Sequence, residues 1–135
     1  MAVITWNDCY SVNIEAFDNQ HKMLFGYINS LIEAMQIRKS DEILSQLITD
    51  LSNYTQTHFQ EEEKLLEKYI YPKLSEHRNM HQLFIQEIQK FKNDFEERKL
   101  GIPIEMASFL KKWITNHIMV ADKEYSEFLN EKGIK

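Results

Sequence analysis

The fold and the chemistry of this chain are decided by residues 54–81, YTQTHFQEEEKLLEKYIYPKLSEHRNMH. His58 and Glu62 stand four residues apart in the first half of this stretch, and His77 and His81 stand four apart in the second. Residues at that spacing point the same way from an α-helix. The proline between the two pairs is not tolerated inside a helix but suits its start. The stretch therefore predicts two helices, each of which directs a pair of polar side chains to one side.

Apolar residues at spacings of three and four extend this pattern in both directions along the chain, which is typical of helices with one buried face. They predict four helices, over about 18–38, 41–69, 73–97 and 104–131. Asp18 is expected to cap the first helix, and residues 1–17 to form an arm along the bundle. The predicted fold is all-α, an up-down-up-down four-helix bundle with an N-terminal arm, and it forms one domain over 1–135.

The composition agrees with a helical domain and excludes several classes of function. The chain has 135 residues, 43% of them hydrophobic, with only 3 Gly and 2 Pro, too few turn residues for an all-β sandwich. Its net charge of −5 argues against nucleic acid as a partner, because phosphate binding needs a basic surface. No apolar run is long enough to span a membrane, and the first residues do not resemble a signal peptide. We therefore expect a cytoplasmic protein.

Polar residues occupy positions on the inward stripes where leucine would be expected. All 5 histidines are among them, together with one glutamate: His21, His58, Glu62, His77, His81 and His117. A single histidine on such a stripe is usually a core residue bonded to a carbonyl oxygen. Several unpaired buried polar groups would each cost roughly 1–3 kcal/mol, which is too much for a domain with about 5–15 kcal/mol of net stability. A bound metal satisfies them together, because imidazole and carboxylate are suitable ligands for first-row metals.

The fourth helix needs one extra residue to complete the pattern. Asp122 lies five residues after His117, and five residues leave two side chains of an α-helix roughly 140° apart. The inward stripe nevertheless resumes with Asp122, Tyr125 and Leu129. A π-bulge between the histidine and the aspartate would bring both side chains to the core, and such bulges are frequent at functional sites. The alternative is that Asp122 faces water and Ala121 faces inward.

These motifs resemble those of the hemerythrin family, in particular its single-domain bacterial members. They are H-x3-E at 58–62, H-x3-H at 77–81 and H-x4-D at 117–122, and DNQH at 18–21 is similar to the family's first ligand segment. The likeness covers essentially the whole chain, including the arm. The resemblance implies a non-haem di-iron centre that binds O2 reversibly, in an oxygen carrier, store or delivery protein and not in an enzyme.

The resemblance also implies a role for each ligand residue. Glu62 and Asp122 would bridge two iron ions (Fe²⁺/Fe³⁺) that share an oxo or hydroxo bridge. One ion would be completed by three histidines and the other by two, which are His77, His81 and His117 for the first and His21 and His58 for the second. The second ion would then keep one open position for O2.

The sequence also predicts where the residues beside the ligands lie. Four apolar ones are similar to the wall of the family's O2 pocket, with plain core packing as an equal alternative: Leu24, Phe59, Trp113 and Ile114. Tyr54 lies one turn before His58 and is expected to pack in the core, with support of that ligand as the alternative. Glu61, Glu63 and Lys64 lie off the ligand stripe and are expected in solvent.

Two other functions stay open at this point. A di-iron redox enzyme, such as a peroxidase or an oxidase, would use a similar site. However, no histidine here follows a glutamate by three residues, the spacing found in ferritin-like di-iron proteins. A sensor of O2 or of redox state would act through a partner protein, because the chain leaves no room for an output domain. A delivery protein would likewise have a protein acceptor of O2, which the sequence does not identify.

Overall fold

The computed structural model describes residues 2–135, and it is a bundle of four antiparallel helices. Three of them are α1 (Glu15–Gln36), α2 (Ser40–Lys68) and α3 (Leu74–Glu96). The fourth, over 102–131, consists of α4 (Ile102–Trp113), a π-helical segment (Ile114–Asp122) and α5 (Lys123–Glu131). No strand occurs within 2–135, so the predicted all-α class is confirmed. Within the same residues, no helix is both long and apolar enough to cross a membrane.

The helices pack in the order of the chain. α1 lies against α2, α2 against α3 and α3 against α4, and α4 closes the bundle against α1. Short turns join successive helices, which makes neighbours antiparallel. The start of α1, the end of α2, the start of α3 and the end of the fourth helix therefore meet in the same half of the bundle.

A layer of polar side chains divides the core into two apolar clusters. The larger cluster fills the half of the bundle near the α1–α2 turn and includes Leu31, Leu44 and Met106, all fully buried. The smaller cluster closes the other half and includes Leu66 and Leu129, also fully buried. Each fully buried apolar side chain of this size stabilises the fold by roughly 1.5–3 kcal/mol. The scaffold is therefore held together on both sides of the polar layer.

The first helix begins earlier than predicted, and Asp18 does not cap it. α1 begins at Glu15, after the extended residue Ile14. The Asp18 carboxylate instead accepts hydrogen bonds from the arm, at 2.6 Å from Ser11 Oγ and 2.8 Å from the backbone nitrogen of Val12. Asp18 therefore fastens the arm to α1 and does not satisfy the helix's own N–H groups. The other helix ends lie within two residues of the expected positions.

The arm lies along the bundle over its described part, and Met1 is outside the described residues. Asn29 of α1 binds both backbone groups of Ile4, at 2.8 Å from its nitrogen and 2.7 Å from its oxygen. Trp6 packs edge-on against Phe25, with ring centroids 5.2 Å apart. Val12 lies fully buried in the smaller cluster. The arm therefore runs along the bundle from the larger apolar cluster to the smaller one.

Left-handed residues end the helices, and three of them are not glycine. Arg38, Ile70 and Arg98 have φ values of 59°, 57° and 59°, and Gly133 takes the same role after the fourth helix with φ 84°. In each case the backbone N–H of the following residue donates to the carbonyl five residues before it. An example is the hydrogen bond from Tyr71 to the carbonyl of Leu66, at 2.9 Å. This is the Schellman arrangement, in which a left-handed residue lets the chain satisfy the last carbonyls. The strain at the non-glycine residues is the cost of short connections.

Candidate metal centre

The polar layer consists of the seven residues singled out from the sequence, and the four helices bring them together. All seven are at most 3% exposed: His21 from α1, His58 and Glu62 from α2, His77 and His81 from α3, and His117 and Asp122 from the π-helical segment. Two sets of these residues place one donor atom each within 4.8 Å of one another, namely Glu62, His77, His81 and His117, and His21, His58 and Glu62. Glu62 belongs to both sets.

The two oxygens of Glu62 face different histidines. Oε1 lies 2.5 Å from Nε2 of His77 and 3.1 Å from Nε2 of His81. Oε2 lies 3.1 Å from Nε2 of His58 and 4.0 Å from Nε2 of His21. The carboxylate therefore stands between a group of histidines from α3 and a group from α1 and α2.

Asp122 divides its oxygens between the two groups in the same way. Oδ1 lies 2.9 Å from Nε2 of His117 and 3.1 Å from Nε2 of His77. Oδ2 lies 3.2 Å from Nε2 of His21. We call His77, His81 and His117 the three-histidine set, and His21 and His58 the two-histidine set. Each carboxylate thus reaches both sets.

Unpaired buried atoms at the centre of the layer fit a bound cation. Within 2–135, no hydrogen bond is made by Nε2 of His21, His81 or His117, or by either oxygen of Asp122. Such groups are costly when buried alone. Imidazole nitrogens and carboxylate oxygens that converge on one place are the usual ligands of first-row metals. The residues present therefore fit one metal position at each histidine set.

The pKa values of the carboxylates favour the ionised form that binds a metal. Burial opposes ionisation of Glu62, but the charge and close contact of His58, with the close contacts of His77 and His81, hold its pKa well below the ordinary value. Burial and the charge of Glu62 likewise oppose ionisation of Asp122, yet His117 and His21 lower its pKa. Both groups are acceptors at neutral pH, and metal ligands must be deprotonated.

The histidines of the layer differ in their tendency to hold a proton. Burial lowers the pKa of His117, and the nearby carboxylates only partly offset it. Burial also lowers the pKa of His77, but the close approach of the Asp122 and Glu62 carboxylates raises the pKa to about 10. His21 shows a raised pKa as well, because Asp122 outweighs the effect of its burial. A metal ion would displace the protons that these side chains hold in its absence.

The π-helical segment Ile114–Asp122 is what places His117 and Asp122 on the same side. This confirms the expectation that the helix gains one residue here, and the wide turns extend over nine residues instead of one bulge. Both Ala121 and Asp122 are buried, at 7% and 1% exposed. The alternative of a water-facing Asp122 is therefore wrong.

Outer hydrogen bonds hold two of the imidazoles, and the sequence pattern did not indicate them. Nδ1 of His81 lies 2.8 Å from Glu63 Oε2, and Nδ1 of His58 is hydrogen-bonded to Oε1 of Gln20. Glu63 was expected in solvent, but its side chain is only 21% exposed because it folds back between α2 and α3. A partner at Nδ1 fixes the ring and leaves Nε2 as the ligand atom. Because both acceptors come from beside the stripe, its spacing carries no signal for them.

Other neighbours of the ligand stripe lie where they were expected, with additional contacts. Glu61, also expected in solvent, is exposed but accepts a hydrogen bond from Nε2 of Gln20. Lys64 is exposed, as expected. Tyr54 packs in the larger cluster, and its ring stacks on that of His58 with the centroids 5.4 Å apart. Both expected roles of Tyr54, core packing and support of a ligand, are therefore present.

Tyr125 contacts the centre from the fourth helix. Its hydroxyl donates to Glu62 Oε2 at 2.9 Å, and the side chain is fully buried. Burial and the charge of Glu62 raise the pKa of Tyr125 well above its ordinary value, so the hydroxyl keeps its proton. Tyr125 was expected only as a member of the inward stripe. It therefore orients one oxygen of the shared carboxylate.

A narrow internal cavity, with no room for a water molecule in this structure, adjoins the two-histidine set, and His117 and Asp122 also line it. Its lining includes both members of that set and three of the four expected pocket residues, Leu24, Phe59 and Trp113. Ile114 does not line the cavity. It is buried in the larger cluster one turn away, and Ile118 takes the place beside the site.

Aromatic rings form part of the wall of this cavity. The Phe59 ring stacks on His81, with the ring centroids 3.8 Å apart, and the Trp113 ring stacks on His117 at 4.0 Å. These contacts fix the planes of two imidazoles of the three-histidine set. They also place apolar surface next to the centre.

The bundle and its buried centre define a helical metal-binding protein with a histidine-rich, non-haem site. The family model described as the hemerythrin HHE cation binding domain matches residues 12–129. The chain belongs to the hemerythrin family.

Individual relatives agree with this assignment. A bacteriohemerythrin of Pseudomonas aeruginosa (strain LESB58) is 33% identical over 125 residues, which is 93% of this chain and 80% of the relative. A bacteriohemerythrin of Clostridium acetobutylicum is 32% identical, over 91% of this chain and 98% of the relative. A myohemerythrin of Theromyzon tessulatum is 30% identical, over 89% of this chain and 88% of the relative.

The fold also agrees with solved structures. A crystal structure of a hemerythrin superposes with a TM-score of 0.83 and 24% identity, and the match covers 94% of this chain and 97% of that one. At this level of identity the match supports the four-helix bundle, while the sequence relatives carry the family assignment.

Proposed function

We propose that this protein binds O2 reversibly at two iron ions held in the polar layer. The observation that carries the proposal is the unequal division of ligands: two carboxylates reach both histidine sets, and those sets have three and two members. An ion at the smaller set has one protein ligand fewer than its neighbour. Both members of the smaller set line the internal cavity, whereas only His117 of the larger set does.

Each residue has a defined part in this proposal. Glu62 and Asp122 would bridge the two ions, because each presents one oxygen to either side. The three-histidine set would complete one ion, and the two-histidine set would leave the other with room for a ligand. A solvent-derived oxo or hydroxo group would complete the bridge. The iron pair supplies the electrons with which O2 is held.

The surroundings favour binding of a small apolar gas over access of water. Leu24, Phe59 and Ile118 line the cavity with apolar surface, and Leu24 and Ile118 are each 1% exposed. Apolar surroundings disfavour water, and small movements of these side chains would admit O2. Tyr54 also lines the cavity, with its hydroxyl buried.

The ligand chemistry favours reversible binding over oxidation of a substrate. The centre holds five imidazoles, which are neutral as ligands, and only two carboxylates. Ferritin-like di-iron centres use more carboxylates, which as hard anions stabilise highly oxidised iron. A centre with mostly neutral ligands stabilises highly oxidised iron less, so that bound O2 leaves again as O2.

The proposal is tested with protein loaded anaerobically with Fe²⁺. We expect two iron ions per chain and a visible charge-transfer absorption band that appears with O2 and disappears on degassing over several cycles. His58→Ala is expected to weaken the band, because it removes a ligand from the set that adjoins the cavity. A band that forms once and never reverses, or a site that takes up one ion only, would contradict the proposal.

A further inference from the structure

The two histidine sets differ in the charge of the groups that hold their outer nitrogens. In the three-histidine set, Nδ1 of His81 donates to the carboxylate of Glu63 at 2.8 Å. In the two-histidine set, Nδ1 of His58 donates to the neutral amide oxygen of Gln20. Among residues 2–135, no other imidazole of the centre donates from Nδ1 to a carboxylate.

Arg78 holds the Glu63 carboxylate in place from the surface. Its Nε lies 3.2 Å from Glu63 Oε1, and its terminal nitrogen lies 3.1 Å from Glu67 Oε2. Glu63 therefore uses one oxygen for the arginine and the other for His81. The imidazole is fully buried while Arg78 is 45% exposed, so these three side chains connect the solvent with a residue of the centre.

The amide of Gln20 is held in a different way. Its nitrogen donates to Glu61, and its oxygen accepts from His58. The acceptor at His58 is therefore a neutral dipole, oriented by a carboxylate that does not contact the ring. A carboxylate acceptor increases the electron density of the opposite ring nitrogen more than an amide does.

We infer that Glu63, held by Arg78, is a positioning residue that makes the three-histidine set hold its metal ion more tightly than the two-histidine set. The two ions are then released in a fixed order, and the ion at the two-histidine set leaves first. This inference rests on the two-ion site of the proposed function. It goes beyond that site because it assigns a task to two residues that are not ligands.

The experiment measures the release of Co²⁺ from the full chain into excess chelator, followed by the ligand-field absorption of the bound ion. The wild type is expected to bind two Co²⁺ and release them in two phases. Glu63→Gln keeps the size of the side chain but removes its charge, and it should accelerate the slow phase about 10–100-fold. The fast phase should change less than twofold.

Two further variants separate this effect from general destabilisation. Asp94→Asn is a matched control, because Asp94 also lies on the surface in an ion pair, at 3.0 Å from Lys99 and 16% exposed. It lies about 20 Å along α3 from His81 and should leave both phases unchanged. Arg78→Ala, at an exposed position, should accelerate the slow phase to a smaller extent and serves if Glu63→Gln does not fold.

Iron-loaded protein gives a second readout. The negative charge of Glu63 favours Fe³⁺ at the three-histidine set, so Glu63→Gln should raise one midpoint potential while Asp94→Asn leaves both unchanged. Two bound Co²⁺ with an unchanged slow phase in Glu63→Gln would overturn the inference and leave the proposed function intact. Equal acceleration of both phases would overturn it as well. A wild type that binds fewer than two ions would overturn the proposed function and the inference together.

Discussion

The hydroxyl of Tyr125 offers a direct test of how the centre is held. It donates to Glu62 Oε2 at 2.9 Å in a fully buried setting. Tyr125→Phe removes this one oxygen and leaves the ring, so no large cavity forms. A hydrogen bond to a charged group contributes about 1.5–3 kcal/mol. We therefore expect the free energy of unfolding of the metal-free protein to fall by about that amount.

The matched control is Tyr54→Phe. The Tyr54 hydroxyl is also buried, but no described residue within 2–135 accepts or donates a hydrogen bond to it. Its removal should be neutral or stabilising, because an unsatisfied buried polar group costs about 1–3 kcal/mol. Two buried tyrosine hydroxyls, one on either side of the polar layer, are thus expected to have opposite effects.

The assay is thermal unfolding of metal-free protein, followed by circular dichroism at 222 nm. For a chain of 135 residues, about 2 kcal/mol corresponds to a Tm shift of roughly 5–10 °C. Tyr125→Phe should show a decrease of that size, and Tyr54→Phe should show none. Equal losses in both variants, or a change below about 0.5 kcal/mol in Tyr125→Phe, would refute the reasoning.

Three other expectations follow from the same geometry. Glu62→Gln should reduce the bound iron from two ions to one or none, because one side chain serves both sets; a colorimetric iron assay that still finds two would contradict its bridging role. The metal-free protein should lose stability between pH 7 and 10. The folded pKa of His77 is raised from 6.5 to about 10, so the protonated imidazole stabilises the fold fully below pH 6.5. This stabilisation is lost as the pH rises through 10, by at most about 1.4 kcal/mol per pH unit. A Tm that stays flat over this range would argue against this role of His77. Ile70→Gly should raise the free energy of unfolding by about 1 kcal/mol, because Ile70 is 84% exposed with φ 57° and a left-handed conformation costs roughly 1–2 kcal/mol for a side chain with a Cβ. Chemical denaturation measures this change, and a loss of stability would count against strain at that turn.

The helices were predictable from the sequence because their signals are local. Spacings of three and four mark the buried face wherever they occur, so the positions of His58 and Glu62 relative to the core depend only on α2 itself. The π-helical segment was also predictable, because the same local rule fails at one place and resumes one residue later, at Asp122. The spacing of apolar residues does not predict how many residues the π-helical turns include.

The contacts that were not predictable depend on the arrangement of different helices. Glu63 lies beside the ligand stripe, and only the approach of α3 to α2 brings it within 2.8 Å of His81. Asp18 has the residue type of a helix cap, but the path of the arm decides that it binds Ser11 instead. The left-handed turn at Ile70 was not predictable either. Glycine is the usual residue at such a position, and this chain has isoleucine there.

The π-helical segment has a consequence for how the length of this chain can change. One residue added to a regular helix rotates everything that follows by about 100°, which would turn a buried face toward solvent. Here Leu110 before the segment and Leu129 after it are both fully buried, so the wide turns absorb the added residue within the helix itself. Deleting one residue between 117 and 122 would give the spacing that His58 and Glu62 already show on a regular helix. A homologue one residue shorter at this place could therefore present the same pair of side chains on an uninterrupted α-helix.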